Sequence, residues 1–349
     1  MDPVRSLRRQ QLACADLGSP MYAGLLGALA EDLERRGPAS PVAAVLAGHE
    51  DDPADSVLGL RLLGSVHRLV LERRAGDLAL SYPSVGGRWR LEEGVARFLA
   101  VLSREPALVR EWVDRAPQTN EVGRAAALLG GLRSIAARHR LPVRLVELGS
   151  SAGLNLLVDR MAVVDEAGGV HGDAGSRVRL EGAWAGRLPE GPTPRILDRW
   201  GSDLRPVDPT STEGRLALTA YVWPDQRHRL DRLRAALDLA RRDPPPVLHA
   251  GALEAVSRIE PAPGATTVVW HSVMWQYLSE GERGAVTRRL GELADRARAD
   301  APFAHLRLEP VPPAPGADPE FLVVLDTWPD GEHRVLGAAA PHGLPVVWA

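Results

Sequence analysis

Lysine is missing altogether: all 42 Lys+Arg positions are arginine. That absence excludes a P-loop lysine, a Schiff-base lysine and a lysine general base. Cysteine is almost as scarce. Cys14 stands alone, so there is no disulfide framework, no CxxC pair and no thiolate metal cluster. Its setting, Leu12-Ala13-Cys14-Ala15, reads as a helical core position rather than a nucleophile. No run approaches the ~18 apolar residues needed to cross a bilayer. The first residues, with Asp2, Arg5, Arg8 and Arg9, do not read as a signal peptide, so a cytoplasmic protein with no membrane partner is expected. The ten histidines show no HExxH or comparable spacing, and no metal is expected. A net charge of −3 gives no general reason to expect nucleic acid as a partner.

What is present is the composition of an ordinary globular protein, 45% hydrophobic and 25% charged over 349 residues. That length suits one main domain with an added segment. Residues 1–140 read as a helical segment and 141–349 as a cofactor-binding domain. Apolar residues recur at helical spacing over Met21–Arg35, Val57–Arg74, Val95–Arg104, Ala107–Ala116 and Thr119–Arg138. Tyr82-Pro83-Ser84-Val85-Gly86-Gly87 interrupts them as a loop.

From Val143 the texture changes to short β-branched runs: Arg144–Leu148, Val178–Leu180, Val247–His249, Thr266–His271, His305–Leu308, Phe321–Leu325 and Arg334–Gly337. Helices are predicted between them at Leu154–Ala162, Gln226–Arg242 and Gly281–Arg298. This alternation predicts an α/β fold with a mostly parallel sheet. Pro329-Asp330-Gly331 suits an antiparallel hairpin between the last two strands, at the sheet edge. A parallel sheet with a C-terminal antiparallel hairpin is the outline of a Rossmann-like class I methyltransferase. Val311–Gly316 reads as a stiff proline-rich loop before that hairpin.

Val143 to Asn155, VRLVELGSSAGLN, is the most informative stretch. An apolar strand ends in an acid, and a turn of small residues then opens onto a helix, where free N–H groups can face a ligand. Gly149 and Gly153 would permit close approach, Ser150 and Ser151 would donate hydroxyls, and Glu147 would hold the turn or meet an ammonium group. A tight strand–helix connection without ligand is the plain alternative. The spacing is not the full GxGxxG fingerprint, which argues against nicotinamide and flavin cofactors. Arg199-Trp200-Gly201-Ser202-Asp203-Leu204 reads as a second strand ending in an acid able to accept both ribose hydroxyls. Its distance from Gly149 requires an insertion across 163–194. Glu181 is the rival ribose ligand, and Asp203 is preferred.

The chain resembles the DUF2332 family of bacterial proteins over nearly its whole length. The resemblance rests on Tyr82 to Gly87, Gln118-Thr119-Asn120-Glu121-Val122-Gly123-Arg124, Glu147 through Arg160, and Gly201-Ser202-Asp203-Leu204. Val222-Trp223-Pro224-Asp225-Gln226, His271-Ser272 and Pro341-His342-Gly343 complete it. It implies a methyltransferase-like fold that binds S-adenosylmethionine. Where the family usually has Gly-Asp-Ala after the third strand, this chain has Gly251-Ala252-Leu253. The acid that often bonds the adenine amino group in such folds is therefore absent, and Leu253 remains as a cofactor contact.

Candidates for chemistry follow. His271, ending the presumed fourth strand, would deprotonate an acceptor or else bond locally at the strand end. Trp275 and Tyr277 would wall an acceptor pocket or belong to the core. Gln118, Asn120, Glu121 and Arg124 form an unusually polar helix start. Capping explains one or two of them. The cluster would otherwise line the pocket, Gln118 and Asn120 toward the substrate and Glu121 and Arg124 in the chemistry, with Arg124 binding a carboxylate of the acceptor or of the cofactor's methionine part. Tyr82 and Ser84 are candidate lid residues from the helical segment, Asp225 reads as the cap of its following helix, and His342 rests on the resemblance alone. The leading expectation is methyl transfer to an oxygen or nitrogen of a small-molecule acceptor. The alternatives are a methyltransferase-fold protein without methyl transfer, whether it binds the cofactor, regulates, or uses the sulfonium differently, and another Rossmann-like nucleotide enzyme.

Overall fold

The computed structural model describes residues 2–53, 56–115, 117–314 and 319–349. Its helices are α1 Pro3–Asp16, α2 Pro20–Arg36, α3 Pro41–Leu46, α4 Leu58–Leu71, α5 Leu91–Arg104, α6 Pro106–Val113, α7 Ala125–His139, α8 Thr212–Ala220, α9 Arg227–Arg242, α10 Ala252–Ser257 and α11 Glu280–Asp295. Contacts divide the chain into two units, Met1–Thr119 with Ser211–Leu233, and Asn120–Thr210 with Arg234–Ala349. The division differs from the expected one at residue 140, because α7 packs on the sheet and 211–233 packs among the first helices.

In the helical unit, α4 buries Leu58, Leu62, Leu63, Val66, Leu69 and Val70. Each contributes about 1.5–3 kcal/mol relative to exposure. Cys14 is buried on α1, and burial pushes its thiol up to about 12, which leaves it inert. The return segment is pinned by polar contacts. His67 Nδ1 donates to the Ala220 carbonyl at 3.0 Å, and Arg68 pairs with Glu213. Asp225 does not cap its own helix, as the sequence suggested. Its carboxylate accepts the Ser19 hydroxyl at 2.8 Å and the Met21 N–H at 3.0 Å, capping α2 instead. An aspartate can reach whichever free N–H groups the fold brings close.

Val143–Leu148, whose Val143, Leu145, Val146 and Leu148 are buried, forms β1. The others are β2 Ala162–Asp165, β3 Val170–Gly172, β4 Arg179–Gly186, β5 Ile196–Asp203, β6 Val247–His249, β7 Thr266–Ser272, β8 Phe303–Val311, β9 Glu320–Trp328, β10 Glu332–Ala339 and β11 Val346–Trp348. They join in one eleven-stranded sheet, ordered β3-β2-β4-β11-β10-β9-β8-β7-β1-β5-β6. The β6-β5-β1-β7-β8 portion is entirely parallel, while β8, β9 and β10 run antiparallel in succession. This is an α/β fold with a mostly parallel sheet and some antiparallel strands. One face carries α7, whose Gly131 lies against Leu306. The other carries α10 and α11, packed over Val146, Leu148, Val269 and Phe303.

Several expectations are corrected here. The predicted helix Leu154–Ala162 is a 3-10 segment, Leu154–Arg160, followed by β2, because β-branched Val163 and Val164 continue as strand. The helix expected from Thr119 starts at Ala125, after a 3-10 turn at Val122–Arg124 that Glu121 caps by accepting the Gly123 N–H. The insertion expected across 163–194 is present, and its strands β2, β3 and β4 extend the same sheet. Accordingly the β9–β10 hairpin lies inside the sheet rather than at its edge. Part of the expected Val311–Gly316 loop lies outside the described residues. No helix among the described residues is long and apolar enough to cross a membrane.

Candidate functional site

After β1 and the β2–β4 insertion at the far end of the sheet, the chain forms β5 and β6 on one side of β1, then crosses back to β7 and β8 on the other. In open α/β sheets the crevice beyond the carboxyl ends of the strands at such a reversal is where ligands bind. Here the carboxyl ends of β1 and β7 carry Glu147 to Ser151 and His271 to Ser272.

After β1 the backbone turns sharply, with Gly149, Ser151 and Gly153 at φ +66°, +53° and +70°. Both glycines are needed for packing as well as for their positive φ. A Cβ on Gly149 would lie 2.9 Å from Met274 Cβ, and one on Gly153 would lie 2.9 Å from Val247 Cγ2 and 3.0 Å from Pro245. The turn's polar groups are also largely engaged. Ser150 N–H and hydroxyl donate to the Ser202 carbonyl at 2.9 and 3.4 Å. Ser151 N–H donates to Asp203 Oδ2 at 2.9 Å, and Leu154 N–H donates to Asn120 Oδ1 at 2.9 Å. Asp203 Oδ1 takes the Arg205 N–H at 2.8 Å. A carboxylate oxygen has two acceptor sites, so Asp203 braces the turn and retains capacity toward a hydroxyl ligand.

Glu147 is the unsatisfied member. It is 2% exposed, and its Oε1 accepts the Trp270 indole N–H at 3.1 Å. Among the described residues its Oε2 has no hydrogen-bond partner, nor does Oδ1 of Asn155, which is equally buried. Burial pushes the Glu147 carboxyl up to about 8, against the opposing pull of Trp270, Asn155 and Arg124. The Arg124 guanidinium lies between the Ser272 and Pro341 carbonyls, at 3.4 and 3.5 Å. The segment Pro341-His342-Gly343 packs backbone to backbone on this turn: a Cβ on Gly343 would strike Arg124, and one on Gly123 would strike the His342 carbonyl.

Strand order separates the two acids that the sequence offers as ribose ligands. Asp203 ends β5, the immediate neighbour of β1. Glu181 lies on β4, beyond β7, β8, β9, β10 and β11, and pairs with Arg179. It is excluded from this cleft. Leu253, 41% exposed at the start of α10, and Leu204, 66% exposed just past Asp203, supply apolar surface there. Leu204 was not anticipated, although a leucine directly after a strand-ending acid was the signal. Ala252 is buried.

His271 is 1% exposed, and both of its ring nitrogens are engaged. Nδ1 meets Glu309 Oε1 at 2.7 Å and Nε2 meets His305 Nε2 at 2.9 Å. Deprotonating an acceptor requires a ring nitrogen open to it, and this arrangement offers none. Trp275 stacks on His271 with centroids 5.1 Å apart, whereas Tyr277 is 62% exposed. No group of three His, Cys, Asp or Glu among the described residues could hold a metal ion. Glu309 and His305 escaped the sequence reading. Their signal was the alternation His305, Arg307, Glu309 along β8, three polar residues on one strand face.

The remaining candidates belong to the helical unit. Tyr82 is fully buried against His67 and Trp89, at 5.5 and 6.4 Å between ring centroids. Because His67 Nδ1 donates to a carbonyl, its Nε2 accepts the Ser84 hydroxyl at 2.8 Å. Gln118 is half-buried near that unit's boundary.

These features define an α/β protein with a buried acidic site at the reversal point of a mostly parallel sheet. A family of bacterial proteins, described as uncharacterized and conserved in bacteria, DUF2332, matches residues 4–348, and the chain belongs to that family. No curated protein and no solved structure matches it.

Proposed function

We propose that the chain has a Rossmann-like class I methyltransferase fold and binds S-adenosylmethionine at the carboxyl ends of β1 and β5, for methyl transfer to an oxygen or nitrogen of a small-molecule acceptor. The observation that carries this reading is the pair of orphaned buried acceptors, Glu147 Oε2 and Asn155 Oδ1, at the reversal point of the sheet. Buried polar groups are nearly always hydrogen-bonded, and exceptions ask for a partner. A buried carboxyl that a ligand can ionise, with a buried amide oxygen, suits a cationic donor such as the cofactor's ammonium group.

The residues present fit the cofactor in type. Glu147 and Asn155 would hold the ammonium, Asp203 would accept the ribose hydroxyls on its remaining lone pairs, and Leu204 and Leu253 would flank the base. S-adenosylmethionine supplies a sulfonium methyl for in-line displacement, chemistry that depends mostly on positioning. With His271 closed, the reading assigns no general base. A second reading, cofactor binding without methyl transfer, is favoured by that closure and by Ala252 in place of an adenine-binding acid.

Calorimetric titration with S-adenosylmethionine and S-adenosylhomocysteine tests the site, using Glu147→Gln and Leu253→Arg. The second change lies on exposed surface and spares the core. Micromolar binding lost in both variants is the expected result. A folded wild type that binds neither ligand would overturn the reading. Binding without turnover across an acceptor screen would favour the second.

A further inference from the structure

The His271 cluster lies on the α11 face of the sheet, opposite Glu147, and its hydrogen-bond directions can be worked out from its outer end. Arg307 is held by Asp326 and has only donors, so its contact with His305 Nδ1 at 3.4 Å makes that nitrogen the acceptor. His305 Nε2 must then carry the proton and donate to His271 Nε2. His271 Nδ1 in turn carries a proton and donates to Glu309. Burial keeps His305 neutral, which agrees with this order. Arginine does not release its proton, so the string is a fixed orientation device and not a proton route.

At its inner end Glu309 does more than receive His271. Its Oε1 accepts the Met274 N–H at 3.1 Å, and both of its oxygens lie 3.4 Å from the Trp275 N–H. These amides begin the loop after β7. That loop opens with Val273 at φ +51°, a left-handed conformation that a β-branched residue adopts only when its surroundings impose it. Met274 then packs into the space a Cβ on Gly149 would fill, and Trp275 stacks on His271.

We propose that Glu309 is a positioning residue: oriented by the Arg307–His305–His271 string, it holds the loop 273–277 in its strained course and so sets the wall of the ligand cleft against Gly149. The ligand part of this inference rests on the cofactor reading above; the loop part does not.

Hydrogen–deuterium exchange of the segment 273–277 in wild type, Glu309→Ala and Glu309→Gln tests the loop, and S-adenosylhomocysteine titration of the same proteins tests the consequence. The alanine variant is expected to exchange at least tenfold faster at 273–277, with β1 and β7 still protected, and to bind the ligand at least tenfold more weakly. Glutamine keeps an acceptor oxygen and is expected to restore both. If the alanine variant does not fold, Glu309→Asp, whose oxygens are drawn back by one methylene, carries the same expectations. Unchanged exchange at 273–277, or a rise spread evenly over the sheet, would overturn the positioning role. A wild type that binds no S-adenosylhomocysteine would end the cofactor reading, and the exchange result would still decide the role of Glu309.

Discussion

Replacing Glu147 with glutamine should make the protein more stable and less able to bind its ligand, and the stability gain should depend on pH. Burial holds the Glu147 carboxyl at about 8 in the folded state, against an ordinary value of about 4.3 unfolded. Between those values the folded chain binds more protons than the unfolded chain. Stability from this group is therefore complete below the unfolded value and is lost as pH rises toward the folded one. At about 1.4 kcal/mol per unit, the wild type should fall behind a neutral isostere by about 1 kcal/mol at pH 5, about 3.6 at pH 7 and about 5 at pH 9. Glutamine keeps an acceptor for the Trp270 N–H, so the neutral comparison is fair. Urea denaturation of both proteins from pH 5 to 9 reads the difference directly. A difference that does not change with pH, or a variant less stable throughout, would refute the account of a carboxyl strained by burial. The same value makes the group largely protonated at pH 7, so a cationic ligand that ionises it should release about one proton. Calorimetry in buffers of different ionisation enthalpy measures that release.

His67 supplies a pH dependence of the opposite slope. Burial lowers it to about 4, so its contribution is complete above the ordinary value and is lost as pH falls toward 4, about 3 kcal/mol in all; His67→Gln should flatten the acid limb of the stability curve. Gly153→Ala should cost about 2–3 kcal/mol by denaturant titration, because φ is +70° and the new Cβ meets Val247 and Pro245. Asp225→Ala should cost about 1–2 kcal/mol and speed amide exchange at the start of α2, not of α9, since the carboxylate serves Ser19 and Met21.

Much of the fold was legible because its signals are local. A parallel strand inside a sheet is rich in apolar and β-branched residues, and Val143–Leu148 and Thr266–Ser272 both carry that signature despite the polar Glu147 and His271 near their ends. Pro329-Asp330-Gly331 marks the β9–β10 hairpin by turn chemistry alone. The acid, the small-residue turn and the second strand ending in Asp203 were likewise visible in order along the chain. By contrast, the three-residue strands β3 and β11 are not expected from their local sequence.

Contacts between distant residues were left to the tertiary structure. Strand order separates Asp203 from Glu181, because neighbourhood in a sheet is not neighbourhood in sequence. Asp225 caps a helix about two hundred residues earlier in the chain, and the partners of His271 lie 34 and 38 residues away on the next strand. That Gly153 also makes room for Val247 is visible only once β6 lies beside the turn. Composition and periodicity determine which segments become helix or strand, since those preferences act over a few residues. Which polar groups meet, and which buried oxygen is left without a donor, depends on how the strands close beside one another.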